Sequence, residues 1–134
     1  MQRNVSLCCT VLALLNMGEY MHPFFRAPYL DLTTDQVKAK LDRGDPFRFI
    51  DVREPEEYAI ARIEGAELLP LSRAAEWIGT LDPGQEYVFF CHHGQRSAYV
   101  AAYVASNLGF TRVANMTGGI EEWSLRIDPS VPRY

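Results

Sequence analysis

Cys91-His92-His93-Gly94-Gln95-Arg96 is a polar, reactive run set between two apolar segments, Tyr87-Val88-Phe89-Phe90 and the helix-like stretch from Ser97 to Leu108. Thiolate is the nucleophilic form of cysteine, and a helix amino terminus with free N–H groups favours that negative charge. Gly94 allows the tight curvature by which successive amides converge on an anion. Arg96 adds a fixed positive charge at the end of the loop, while His92 and His93 add partial charge below neutral pH. The pattern predicts an anion cradle around a sulfur nucleophile. Cys91 is the expected catalytic residue, with His92, His93, Gly94, Gln95 and Arg96 as the substrate-binding loop.

Other chemistry-bearing residues have simpler readings. Asp51 and Arg53 end a second apolar run and are expected to support the Cys91 loop more than to react. Glu54, Glu56 and Glu57 suit the first turn of a helix, where the dipole favours carboxylates. Cys91 and His92 are adjacent, and neighbours in sequence rarely face each other as nucleophile and base. Gly118 and Gly119 read as a site of close backbone approach, since no phosphate-loop pattern surrounds them. No zinc site is expected: the three cysteines, Cys8, Cys9 and Cys91, lack zinc-ligand spacing. Their odd number also argues against a secreted disulfide scaffold, so a reducing compartment is expected.

The elements that must position Cys91 follow from periodicity. Thr33 and Gln36 have capping-box spacing, which predicts a helix through Val37 and Leu41, ended at Gly44. Phe47–Val52 reads as a strand, Pro55–Ala61 as a short helix and Ala66–Leu69 as a second strand. Arg73–Thr80 reads as a helix, followed by the Asp82-Pro83-Gly84 turn. Tyr87–Phe90 is a continuous apolar run, expected of a strand buried on both faces. Val100, Ala101, Val104, Ala105 and Leu108 then line one face of a helix from Ser97 to Leu108. Thr111–Met116 gives a last strand and Ile120–Leu125 a closing helix. This alternation predicts an α/β fold: a small, mainly parallel β-sheet flanked by helices on both faces. Ligands in such sheets bind beyond the carboxyl ends of the strands, where Asp51–Glu54 and Cys91–Arg96 both fall.

A chain of 134 residues with 48% hydrophobic and 22% charged content has room for one domain with a proper core. The formal charge of −4, with no basic run, speaks against a nucleic-acid partner. The expected organisation is an N-terminal apolar segment over 1–28, a domain over 29–125 and an extended tail over 126–134. Val5–Met17 is too short for a membrane span, which needs about 20 apolar residues. Three readings stand for it: a targeting piece, a docking helix, or an extension ahead of a true start at Met17 or Met21.

Three stretches together resemble one known family. Ile50-Asp51-Val52-Arg53-Glu54-Pro55-Glu56-Glu57-Tyr58 with Ile63-Glu64-Gly65-Ala66, then Cys91–Ser97, then Met116-Thr117-Gly118-Gly119-Ile120-Glu121-Glu122-Trp123 are similar to the signatures of rhodanese-like domains, in the family's order from about Leu30 to Leu125. The tail Asp128–Tyr134 resembles single-domain members from cyanobacteria and plastids. The resemblance implies a sulfurtransferase that needs no metal or cofactor: Cys91 takes sulfane sulfur from a thiosulfate-like donor as a persulfide and passes it to a thiol or protein acceptor. The C-x₄-R spacing of Cys91 and Arg96 resembles the sulfur-transferring group, whereas phosphate-hydrolysing relatives use C-x₅-R. A cytoplasmic location is expected, or a plastid one if the N-terminal segment is a targeting remnant. A non-catalytic interaction or redox-sensing module on the same fold is the alternative.

Overall fold

A computed structural model of the protein describes residues 28–134; the expected N-terminal segment lies outside the described residues except for Pro28. The elements run β1 (Leu30–Leu32), α1 (Thr34–Arg43), β2 (Arg48–Asp51), α2 (Pro55–Ile60), β3 (Glu67–Leu68), α3 (Ala74–Trp77), β4 (Tyr87–Phe90), α4 (Gln95–Leu108), β5 (Val113–Met116) and α5 (Gly119–Arg126). The strands form one sheet in the order β1-β5-β4-β2-β3, and every pairing is parallel.

β4 and β5 are buried at every position, as a strand must be when helices cover both faces of its sheet. The two-residue alternation of strand side chains divides the core in two. Tyr87 and Phe89 point to one side with Ile50, Val100, Val104 and Trp77. Val88 and Phe90 point to the other with Val37, Phe49, Ile120 and Trp123. Burial of such side chains contributes roughly 1.5–3 kcal/mol each relative to exposure. These two apolar layers hold the carboxyl end of β4 in place.

The capping box at α1 forms as the sequence predicts: Gln36 N donates to Thr33 Oγ1 at 3.1 Å and Thr33 N donates to Gln36 Oε1 at 2.8 Å. Three elements differ from expectation. β1 is an edge strand of three residues, paired from Leu30 to Ala114 and from Leu32 to Met116; so short a run carries no periodic signal. Arg73–Thr80 is not one helix but a single α turn flanked by 3₁₀ turns at Leu71–Arg73 and Ile78–Thr80. Ile78, Gly79 and Thr80 are all weak helix formers, and the tighter turn absorbs them.

The third difference concerns the tail. Arg126 belongs to α5, and the chain after it folds back over the domain instead of running out into solvent. Val131 is buried in the second core layer, and Ser124 Oγ donates to Val131 O at 2.6 Å. Among the described residues, no helix is long and apolar enough to cross a membrane.

Candidate active site

Cys91 is the first residue past β4, the central strand of the sheet. The strand alternation carries its side chain to the face of Tyr87 and Phe89, and the residue is 1% exposed. The chain then turns sharply into α4. Gly94 makes that turn at φ +102°, a left-handed conformation that side chains disfavour. A Cβ there would also stand 3.1 Å from Gly118 N. The sequence places the helix start at Ser97, but α4 opens at Gln95, with Gly94 as its N-cap. Gln95 and Arg96 are therefore first-turn helical residues, not loop.

A glycine N-cap brings no side chain to the free amides of the first turn, which need a partner. Cys91 Sγ takes that place. It accepts from Gly94 N at 3.2 Å and Ser97 N at 3.4 Å, and Ser97 Oγ lies 3.3 Å away. The same hydroxyl donates to Asn115 Oδ1 at 2.6 Å, while Asn115 Nδ2 donates to Asp31 Oδ1 at 3.2 Å. A polar chain thus runs from the sulfur through buried Ser97 and Asn115 to β1 at the surface.

The loop is fastened from beneath by α5. Ile120 N donates to Cys91 O at 2.9 Å, and Glu121 N donates to His92 O at 3.1 Å. Gly119 makes this approach possible, since a Cβ on it would lie 2.3 Å from His92 O and 2.4 Å from Cys91 O. The free amides of one helix hold the carbonyls from which the other helix's cap is built.

The expected charges are arranged differently from the sequence reading. Arg96 does not stand as a free cation over the sulfur. Its guanidinium grips Glu57 with two bonds, Nη1 to Oε1 at 2.7 Å and Nη2 to Oε2 at 2.9 Å. This fork geometry is the strongest form of an ion pair. The Arg96 bond holds the Glu57 carboxyl down at about 2, against the counter-effect of burial, and the Arg96 pKa is correspondingly raised by Glu57. His92 is half-covered, and burial first, then neighbouring His93, lowers its pKa. Its positive charge therefore appears at lower pH than expected for a free imidazole. His93 and Gln95 are exposed beside it.

Asp51 and Arg53 form a fully buried pair, with Arg53 Nη2 2.6 Å from Asp51 Oδ2. Arg53 Nη2 also donates to Ala61 O at 2.7 Å, and Nη1 donates to Tyr134 Oη at 2.9 Å. The pair ties the end of β2 to the end of α2 and to the tail. The pair reaches the Cys91 loop through Tyr134 and Glu57, not through the sulfur.

Sequence reasoning missed Glu57, Ser97, Asn115, Asp31 and Tyr134. One signal was present for Ser97, which stands three residues after Gly94, where a helix-capping group finds its amide. The others meet only through the fold. Among the described residues, no group of three or more His, Cys, Asp or Glu is placed to hold a metal ion.

Comparisons with known proteins agree with this fold. The family model for the rhodanese-like domain matches residues 33–126. Rhodanese-like/PpiC domain-containing protein 12, chloroplastic, of Arabidopsis thaliana is 36% identical over 116 residues, covering 81% of this chain but 38% of that protein. The chain therefore spans well under half of the plant relative. Thiosulfate sulfurtransferase GlpE of Pseudomonas fluorescens is 35% identical over 89 residues, covering 66% of this chain and 79% of that protein. Among solved structures, a rhodanese-like domain protein from Staphylococcus aureus superposes with a TM-score of 0.65 at 28% identity, covering 78% of this chain and 98% of that one.

Proposed function

Since this chain belongs to the rhodanese-like domain family, we propose that it is a sulfurtransferase that carries sulfane sulfur on Cys91. The observation that carries the reading is the pair of backbone amides on Cys91 Sγ, with the Ser97 hydroxyl 3.3 Å from the same sulfur. N–H groups fixed on a sulfur favour its anionic forms, thiolate and persulfide alike, without reorganisation during the reaction. Sulfurtransferase activity is what relatives such as the Pseudomonas fluorescens enzyme are named for.

The reaction has two halves. The Cys91 thiolate attacks the outer sulfur of a donor such as thiosulfate. A new S–S bond forms, the bond from that sulfur to the sulfonate group breaks, and sulfite leaves with its electron pair. An acceptor thiolate or cyanide then attacks the outer sulfur of the Cys91 persulfide, which restores the Cys91 thiolate. No electron or proton is lost across the cycle. Cys91 is 1% exposed, so a donor reaches it at the rim of its loop. His92, His93 and Gln95 stand at that rim, and Gly94 supplies an amide of the cradle. Arg96, paired with Glu57, braces the first turn of α4 instead of binding the donor by itself.

We propose a cytoplasmic setting with the plastid as alternative; the chloroplastic designation of the Arabidopsis relative supports the second. The acceptor is a small thiol or a protein thiol. The test is thiocyanate formation from thiosulfate and cyanide by the wild type and by Cys91→Ser. The variant is expected to fall to the uncatalysed background. Equal turnover by the two proteins overturns the role of Cys91.

A further inference from the structure

The last residue of the sequence sits in the candidate site. Tyr134 Oη accepts from Arg53 Nη1 at 2.9 Å and donates to Glu57 Oε2 at 2.8 Å. Its ring stacks on the His92 imidazole with centroids 3.9 Å apart and planes 11° off parallel. The Arg53 guanidinium lies over the same ring at 5.8 Å. Anchors further back fix the approach: Val131 is buried, and Arg133 pairs with Glu121 at 2.5 Å. Glu121 in turn lies 3.9 Å from His92 Nε2. Two consecutive tail residues thus reach His92, Arg133 through Glu121 and Tyr134 directly.

We infer that residues 127–134 form a strap across the site and that Tyr134 is its positioning residue, fixing the His92 ring at the rim over Cys91 and bracing the Glu57–Arg96 pair. Near-parallel stacking holds a ring in one orientation more firmly than apolar contact alone. The phenol fits the task because its hydroxyl is fixed at both ends, between a buried cation and a carboxylate. A rim held this way sets the entry for the sulfur donor, so its loss weakens productive binding more than the chemistry at sulfur. The strap deepens the sulfur-transfer reading and rests on it for its kinetic consequences, though its geometry stands alone.

The groups that face the His92 ring are His93, Glu57, Glu121, Arg96 and Tyr134. The experiment compares Tyr134→Ala and Tyr134→Phe with the wild type, all in the full chain, by NMR titration of the His92 ring protons and by steady-state kinetics with thiosulfate. In Tyr134→Ala the His92 ring loses its cover, and its titration moves up toward the ordinary value of about 6.5. KM for thiosulfate rises about three- to tenfold, with kcat changed less than about twofold, as expected for loss of a positioning stack. Tyr134→Phe keeps the stacked ring and stays nearer the wild type in both. A His92 titration unmoved by Tyr134→Ala overturns the inference. If the wild type itself fails to turn over thiosulfate, the sulfur-transfer reading falls while the titration still decides the role of Tyr134.

Discussion

Ser97 has one hydroxyl proton and two acceptors within reach, Cys91 Sγ at 3.3 Å and Asn115 Oδ1 at 2.6 Å. Asp31 fixes the Asn115 amide so that its oxygen faces the serine. With the thiol protonated, the serine proton serves Asn115 and its oxygen can face the S–H. With the thiolate formed, the same proton can turn to the sulfur at the cost of the shorter bond. Ser97→Ala removes this device and leaves Asn115 Oδ1 without its donor at a site 3% exposed. Leaving a buried acceptor unpaired costs about 1–3 kcal/mol, which a urea unfolding midpoint reads directly. Persulfide formation in Ser97→Ala is expected to slow while Cys91 remains the carrier. Cys91 and Gly94 were legible in the sequence because a reactive residue and a permissive one stood together at the end of an apolar run. Ser97 and Asn115 were not, because residues 18 apart in the chain meet only when α4 packs on β5. The charge of Arg96 was legible, but its pairing with Glu57, 39 residues earlier, was not.

The elements matter through their ends. α4 begins where Gly94 turns, and α5 begins where Gly119 lets its amides touch the Cys91 loop. Gly119→Ala is the sharpest test of that docking. Its φ of +61° and a Cβ placed 2.3 Å from His92 O leave no room for a methyl group, and the obstacle is backbone that cannot rotate aside. The variant is expected to lose about 3 kcal/mol or more of stability and to displace the loop from its amides. Thermal unfolding with a parallel assay of sulfur uptake checks both. The helix and strand order was readable from periodicity because β4 and α4 bury whole faces. The start of α4 was misplaced by two residues because Gln95 and Arg96 are polar, and polarity at a helix's first turn reads like a loop. β1 escaped notice since a three-residue edge strand takes its identity from its partner β5, not from its own pattern.

Across the whole molecule, buried and half-buried ion pairs tie the site to the scaffold. Asp51 and Arg53 are 0% exposed, and Asp51→Asn keeps the shape while leaving the Arg53 charge without its partner. Breaking one side of such a pair destabilises by about 3–5 kcal/mol, measurable by denaturant titration. The Glu57–Arg96 pair gives the fold a dependence on acid. The folded-state value of Glu57 lies at about 2, below its ordinary 4.5, so its contribution is complete above that ordinary value and is lost as pH falls toward the folded one. Glu57→Gln is therefore expected to be less stable than the wild type at neutral pH, with the gap closing as pH drops through that window. A gap that stays constant across the window would remove Glu57 from the account. The tail was the least legible part of the chain: two prolines made it look extended, and of its anchors only Ser124 and Glu121 on α5 are near in sequence, while Arg53 and Glu57 lie 81 and 77 residues before Tyr134.

The central claim is that the cradle at the end of β4 holds a sulfur atom on Cys91, and intact-mass measurement after exposure to thiosulfate, mapped by peptide analysis, tests it most directly. The account predicts a gain of one sulfur atom, located on the peptide carrying Cys91, reversed by cyanide and absent in Cys91→Ser. A protein that gains no sulfur, or gains it on Cys8 or Cys9 while Cys91 stays unmodified, contradicts it.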